Sequence, residues 1–151
     1  HGISALSRAA PHTDRTDCRW AALLADLPER RAQEASERLK APSAFSLLAT
    51  RISGGRYRIK TALKDATECM ALLKALDGLR REEPFEGFCE TLAALEQHSA
   101  DALSAVNLLR SARDAAQQVS AADFVDQGLT GPELGAAIQV KQIERIAGLL
   151  D

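Results

Sequence analysis

The chain has 151 residues, of which 46% are apolar, 26% charged and only 4% aromatic, with a formal net charge of −2. That composition excludes a disordered chain, and the acidic balance excludes a protein that coats nucleic acid indiscriminately. No stretch has the length of a membrane span and no signal-peptide pattern is present, so no membrane partner and a cytoplasmic location are expected.

With so few aromatics the core must come from Leu, Ala, Ile and Val, and the shortage of β-branched runs predicts helices throughout. His1 to Ala10 carries Ile3, Leu6 and Ala10 at helical spacing. The start at His1 rather than methionine suits a fragment or a processed product. Pro11 to Thr16 reads as a polar loop. Asp17 is placed to cap the next helix, with Trp20, Leu24 and Leu27 on one face and Pro28 at its end. Glu29 to Leu39 is helical by propensity, mostly charged and expected at the surface. Pro42 suits the start of a helix holding Phe45, Leu48 and Ile52, which Ser53-Gly54-Gly55 is expected to break. Arg56 to Lys60 fits either an extended segment or a turn of helix. Asp65 with Glu68 caps a helix whose stripe is Cys69, Leu72, Leu73, Leu76 and Leu79. Pro84 opens another, with Phe85, Phe88, Leu92 and Leu95. Ser99 caps a third, with Ala102, Val106, Leu109, Ala112 and Ala116 on its face. Short connections favour antiparallel neighbours. Ala115 to Ala122 is the expected seam before the last segment.

That segment, Ser120 to Asp151, is the most sharply specified. Ser120 can cap a short helix through Phe124 and Val125, and Gly128 can stop it in the left-handed conformation. Thr130 and Glu133 have capping-box spacing, Leu129 and Leu134 the spacing of a hydrophobic staple, and Pro132 lies in the first turn. Ala136, Val140, Ile143, Ala147 and Leu150 then form an apolar stripe, with Lys141, Glu144 and Arg145 opposite.

The motif Gly128-Leu129-Thr130-Gly131-Pro132-Glu133-Leu134-Gly135, set between those two helices, resembles the C-terminal tail of bacterial tRNA nucleotidyltransferases. These enzymes build the CCA end, and poly(A) polymerase-like proteins are related to them. The middle of the chain is similar to the family's helix pair in Leu73, Leu76, Asp77, Arg80, Arg81, Pro84 and Phe85. After Ala94 it departs: the family has a loop rich in Gly, Arg and Pro, whereas this chain passes through Gln97-His98-Ser99 directly into a helix. The first residues resemble the opening of the HD phosphohydrolase domain found in one branch of the family. His1 matches its lone histidine, and Leu23 to Leu27 its second motif. The match fails at the chemistry. Ala25 stands where the metal-binding histidine belongs, and Pro28 and Glu29 where a glycine and a lysine belong. Asp26 alone, with His1 at a chain end, does not supply the converging ligands a hydrolytic metal needs. No metal site is expected, and an active phosphohydrolase is the weakest reading. His12 and His98 read as surface residues.

Catalytic residues are not expected either. The resemblance implies a polymerising head with paired aspartates for magnesium and a glycine-rich turn for CTP or ATP, and this chain has no Asp-x-Asp and no such turn. Ser53-Gly54-Gly55-Arg56 is not a phosphate cradle, because no Lys and Ser/Thr follow it. Magnesium and nucleotide would belong to that N-terminal head. The three cysteines, Cys18, Cys69 and Cys89, are widely spaced without a C-x-x-C, which fits buried thiols in a reducing compartment.

Charge supplies the remaining functional signal. From Arg38 to Lys64 there are seven basic residues and no acidic one, leaving twelve basic against twenty-one acidic elsewhere. Tyr57, the sole tyrosine, sits between Arg56 and Arg58. An exposed ring beside guanidinium groups can stack on a base while the cations meet phosphates. Arg51, Arg56, Tyr57, Arg58, Lys60 and Lys64 are the candidate RNA contacts, with Lys141 and Arg145 on the tail helix. Packing of Tyr57 onto the bundle is the competing interpretation.

The expected architecture is therefore all-α: an antiparallel helical bundle, a degenerate HD-like body over residues 1–118, followed by a small helical-hairpin tail over 119–151. The expected role is the non-catalytic, tRNA-holding part of a tRNA nucleotidyltransferase-like protein whose catalytic head is absent here. The alternative is a metal-free former HD domain serving protein–protein interaction.

Overall fold

The computed structural model describes residues 1–151. It contains nine α-helices and no strand: α1 Gly2–Ala9, α2 Thr16–Leu24, α3 Glu29–Arg38, α4 Ser43–Gly55, α5 Arg58–Ala62, α6 Ala66–Ala75, α7 Glu82–Leu95, α8 Ala100–Gln117 and α9 Gly131–Leu150. Two 3-10 segments, Ala10–His12 and Ala121–Gln127, join α1 to α2 and lead into α9. The fold is a helical bundle, as the composition predicts. Helix α2 lies against α1, α4 and α7; α3 covers α4; α5 rests on α6 and α8; and α9 returns across the same two helices.

Local chemistry explains several of the boundaries. The Asp65 carboxylate accepts from the amides of Thr67 and Glu68 at the start of α6, and Ser99 Oγ accepts from the Ala102 amide at the start of α8. Phe85, Phe88, Leu92 and Leu95 of α7 are all buried, as their spacing requires. They sit in one continuous core of 29 buried residues, to which α9 contributes Ile146. All three cysteines are free and buried. Burial alone raises the Cys69 thiol pKa to about 11, and burial is also the main cause that raises Cys89 to about 12, so neither is a reactive thiolate near neutrality.

Other expectations are corrected. Helix α2 begins at Thr16, one residue before the expected cap, so Asp17 lies inside its first turn. There the carboxylate accepts from the Cys18 amide and holds Arg15 in a two-bond pair of 3.1 and 2.7 Å. In α1 it is Ala5 and Ala9 that are buried, whereas Ile3 is 77% exposed. The reason is close packing: a Cβ on Gly2 would lie 2.5 Å from the Leu23 carbonyl oxygen, so small residues must face α2. Helix α3 is less exposed than its charge suggests, because Ala32 and Ser36 are buried and the Trp20 indole donates to Ser36 Oγ.

Gly54 and Gly55 do not break α4. The helix runs through both, and the chain turns at Arg56 and Tyr57 before α5. A Cβ on Gly55 would stand 3.0 Å from the buried Phe88 ring, and one on Gly54 would stand 2.7 Å from the Glu29 carboxylate. These glycines admit neighbouring helices rather than ending their own. Of the two conformations that suit Arg56 to Lys60, the chain adopts the helical one from Arg58.

The tail keeps its turn and loses one cap. Gly128 is left-handed at φ +66°, directly after the 3-10 segment, and the Asp123 carboxylate accepts from the Ser120 amide at that segment's start. Thr130 occupies the N-cap position of α9 but makes no side-chain hydrogen bond there, so the expected box with Glu133 is absent. Gly131 explains this: it is left-handed at φ +58°, and the chain does not follow the path that aims an N-cap hydroxyl at the third amide. The face of α9 also differs from the expected stripe. Val140 is 58% exposed, while Ile146 is fully buried, flanked by half-buried Ile143 and Leu150. Gln142 donates to the Ala116 carbonyl, and the inward face is 142, 143, 146 and 150, with exposed Gln139 accepting from Lys74 of α6 at its rim.

Two substitutions separate these roles. Gly128→Val is expected to cost about 1–2 kcal/mol, from backbone strain alone, because a Cβ there has no atom within 4 Å. Thr130→Ala is expected to stay within about 0.5 kcal/mol of the parent chain. Urea unfolding of both measures the difference, and a larger loss at Thr130 would restore the capping box.

Candidate nucleic-acid interface

Helix α5 is a single turn, so its residues divide sharply between inside and outside. Ile59 and Ala62 are buried and anchor it, which turns Arg58 and Lys60 outward; Lys64, two residues past its end, is exposed as well. None of these three cations makes an ion pair with a carboxylate. Tyr57 precedes them and is 70% exposed, so the ring is not packed into the bundle. Between α5, the end of α7 and the start of α8 lies a cleft of about 110 Å³, bordered by Tyr57, Lys60 and Ser99.

Arg56 is placed differently from its neighbours, and its expected part in phosphate binding is corrected. Its side chain is only 9% exposed, and its guanidinium bridges Asp26 at 2.8 Å and Glu96 at 2.6 Å. Burial opposes its charge, but the Glu96 hydrogen bond and the nearby carboxylates outweigh it and raise the pKa. Three of its five N–H groups are spent on two carboxylates that offset its charge, and little of the guanidinium reaches solvent, so it is poorly placed to meet a phosphate. It acts on the interface in another way: its carbon Cζ lies 5.4 Å from the centroid of the Tyr57 ring, so it supports the ring from behind by a cation–π contact.

The remaining candidates lie elsewhere. Arg51, earlier on α4, lines a separate cleft with Arg15 and Arg81. Lys141 and Arg145 are exposed on α9, and Lys141 pairs with Glu144 at 3.4 Å. No hydrogen bond or cleft joins either group to Tyr57. The structure thus brings together Tyr57, Arg58, Lys60 and, at the far end of the same segment, Lys64. Of the tail-motif residues, Gly128 and Gly131 shape the turn into α9 through their positive φ, Thr130 is its N-cap, and Glu133 and Gly135 are exposed within that helix.

The HD-like positions gather no set of ligand-type side chains. Ala25 is buried, Asp26 is engaged by Arg56, and no three His, Cys, Asp or Glu side chains cluster anywhere in the chain. The Asp26–Arg56–Glu96 bridge could not be read from the sequence, because its members lie 30 and 40 positions apart and no local pattern links them.

Comparison with known proteins adds an independent line. No family model matches the chain, and no solved structure matches it. Curated relatives do. The CCA-adding enzyme of Pseudomonas putida strain W619 is 32% identical over 145 residues, covering 95% of this chain and 39% of the relative. The multifunctional CCA protein of Halorhodospira halophila is 32% identical over 171 residues, covering 97% of this chain and 41% of the relative. That of Pseudomonas fluorescens strain Pf-5 is 30% identical over 175 residues, covering 97% and 42%. The chain thus spans about two fifths of the length of the relatives it matches. Alignments of 171 and 175 positions exceed the 151 residues present, so these relatives carry segments that this chain lacks. The match agrees with the C-terminal portion of a tRNA nucleotidyltransferase that the tail motif resembles. Over nearly its whole length, the chain is a homologue of part of the CCA-adding enzymes.

Proposed function

We propose that this chain is a tRNA-holding body and tail, which positions tRNA for CCA addition by a catalytic head outside it. Magnesium and nucleotide would then act in that head, and no residue of this chain would take part in the chemistry. One observation carries the reading: an exposed aromatic ring, braced by Arg56, stands at the start of a helical turn whose cations Arg58 and Lys60, with Lys64 just past its end, have no carboxylate partner. Such a set offers a stacking platform for a base and guanidinium and ammonium donors for phosphates. The net charge of −2 works against RNA elsewhere on the surface, so micromolar affinity at best is expected for the chain alone.

Titration of labelled tRNA at low salt tests this. With three cations on phosphates, the slope of log affinity against log salt should be roughly −2 to −3. Arg58→Glu combined with Lys60→Glu should nearly abolish binding without changing stability. Tyr57→Ala should weaken it by about 1–3 kcal/mol if a base stacks there. Absence of binding, or binding indifferent to the double reversal, removes the α5 surface from the interface. The second reading, a protein-interaction module, would then lead; the exposed Val125 and Val140 beside Phe124 favour it.

A further inference from the structure

A second cleft, on a different part of the bundle, has the features of a small anion site. It measures about 310 Å³ and opens where α2, α4 and α7 begin. Its walls carry Arg15, Arg51 and Arg81. Arg15 is committed to Asp17 by two hydrogen bonds, so that pair is close to neutral. Arg51 and Arg81 make no ion pair with any carboxylate. Glu83, also on the wall, is the sole carboxylate there besides the engaged Asp17, which leaves the lining with an excess of one positive charge. Burial and the charge of Arg81 hold the Arg51 pKa below the usual guanidinium range, against the influence of Asp77. Two guanidinium groups therefore line one cleft without a direct ion pair, with Asp77 and Glu83 as the nearby carboxylates that partly offset them.

The backbone adds to this field. Helix α4, of 13 residues, starts on the cleft wall at Ser43 and Ala44, and its N-cap Pro42 supplies no side-chain acceptor. Helix α7, of 14 residues, also starts on the cleft lining with Arg81 at its N-cap, again with no capping side chain. Both helix starts border the same space as the arginines; that of α4 has no acidic residue in its first turn, whereas that of α7 is partly offset by Glu82 and Glu83. Leu47, Leu48 and Pro84 supply apolar lining. Volume, charge and lining together match a small ligand with a charged end and an apolar end, at the lower limit of small-molecule pockets.

We propose that this cleft binds a phosphomonoester, with Arg51 and Arg81 holding the dianionic phosphoryl group and the apolar lining of Leu47, Leu48 and Pro84 taking an apolar or flat ring attached to it. This site is separate from the α5 surface and does not depend on the tRNA reading. Guanidinium forks suit the tetrahedral oxygens, and an ester of this size leaves the phosphoryl group at the arginine end.

The test is calorimetric titration of the whole chain with phenyl phosphate, inorganic phosphate and phenol as probes. Phenyl phosphate should bind saturably, inorganic phosphate more weakly and phenol not at all. Arg51→Gln and Arg81→Gln should each weaken phenyl phosphate binding by about tenfold or more, while Arg58→Gln on α5 leaves it unchanged. Arg81 is exposed, so its variant keeps the test valid if Arg51→Gln fails to fold. No saturable binding, or binding indifferent to both substitutions, overturns the site. Displacement of phenyl phosphate by an oligoribonucleotide with no terminal phosphate assigns the cleft to backbone phosphodiesters and overturns the phosphomonoester.

Discussion

Replacing Arg113 with alanine is expected to lower the unfolding free energy by about 3 kcal/mol. This arginine lies on α8, is buried, and has no carboxylate partner. Its Nε donates to the Gly78 carbonyl oxygen, and its guanidinium lies 5.1 Å from the centroid of the Phe85 ring. Gly78 closes the turn after α6, where Asp77 is left-handed at φ +51° and the Gly78 amide donates to the Leu73 carbonyl. A Cβ on Gly78 would stand 2.8 Å from the Phe85 ring, so nothing else can fill that corner. Arg113 thus ties α8 to the α6–α7 turn through one carbonyl and one ring. Alanine leaves a cavity beside Phe85 and a carbonyl without its donor. Methionine restores most of the volume but not the donor, so Arg113→Met should recover roughly half of the loss. Urea unfolding measures both. If Arg113→Ala stays within about 0.5 kcal/mol of the parent chain, the corner is held by packing among α6, α7 and α8 alone.

Arg113 and Arg56 mark the limit of what the sequence makes legible. The stripes of α6, α7 and α8, the caps at Asp65 and Ser99 and the left-handed Gly128 were all readable, because each depends on residues within one or two helical turns. The four-residue turn-and-cap pattern at Thr130 was readable in the same way, and there the neighbour Gly131 overrode it by reversing the sign of φ. Gly54 and Gly55 illustrate a harder case. A helix breaker and a close-packing residue are the same residue, and only the Phe88 ring opposite shows which role applies. Ile3 and Val140 failed similarly: periodicity gives a face, but the approach of α2 or α6 decides how far it is buried. The charge block from Arg38 to Lys64 was evident, yet its division into free and engaged cations was not. That division depends on carboxylates contributed by distant segments.

Arg56→Glu is expected to be the most damaging charge change in that block. The substitution places a carboxylate between Asp26 and Glu96, which Arg56 now bridges with hydrogen bonds of 2.8 and 2.6 Å. Breaking a buried pair from one side costs about 3–5 kcal/mol when the remaining charge stays dry. Here the Asp26 and Glu96 side chains are each 33% exposed and can regain water, which reduces the cost. Added repulsion among three carboxylates works in the other direction, and a net loss of about 2–3 kcal/mol follows. For a chain of this length that lowers Tm by roughly 5–10 °C. Arg58→Glu, two residues on and fully outside the fold, should move Tm by no more than about 1–2 °C. Arg56→Lys keeps the charge but cannot fork between two carboxylates, so it should fall between these, near a loss of about 1 kcal/mol. Thermal melts of the three variants at one salt concentration give the ranking directly. The ranking also decides how RNA titrations are interpreted: a tRNA-binding defect in Arg56→Glu would combine a collapsed brace behind Tyr57 with partial unfolding, whereas one in Arg58→Glu reports the surface alone. Equal melting temperatures for Arg56→Glu and Arg58→Glu would mean that the Asp26–Arg56–Glu96 bridge does not hold the α4–α5 turn, and that Arg56 is as free to meet a phosphate as its neighbours.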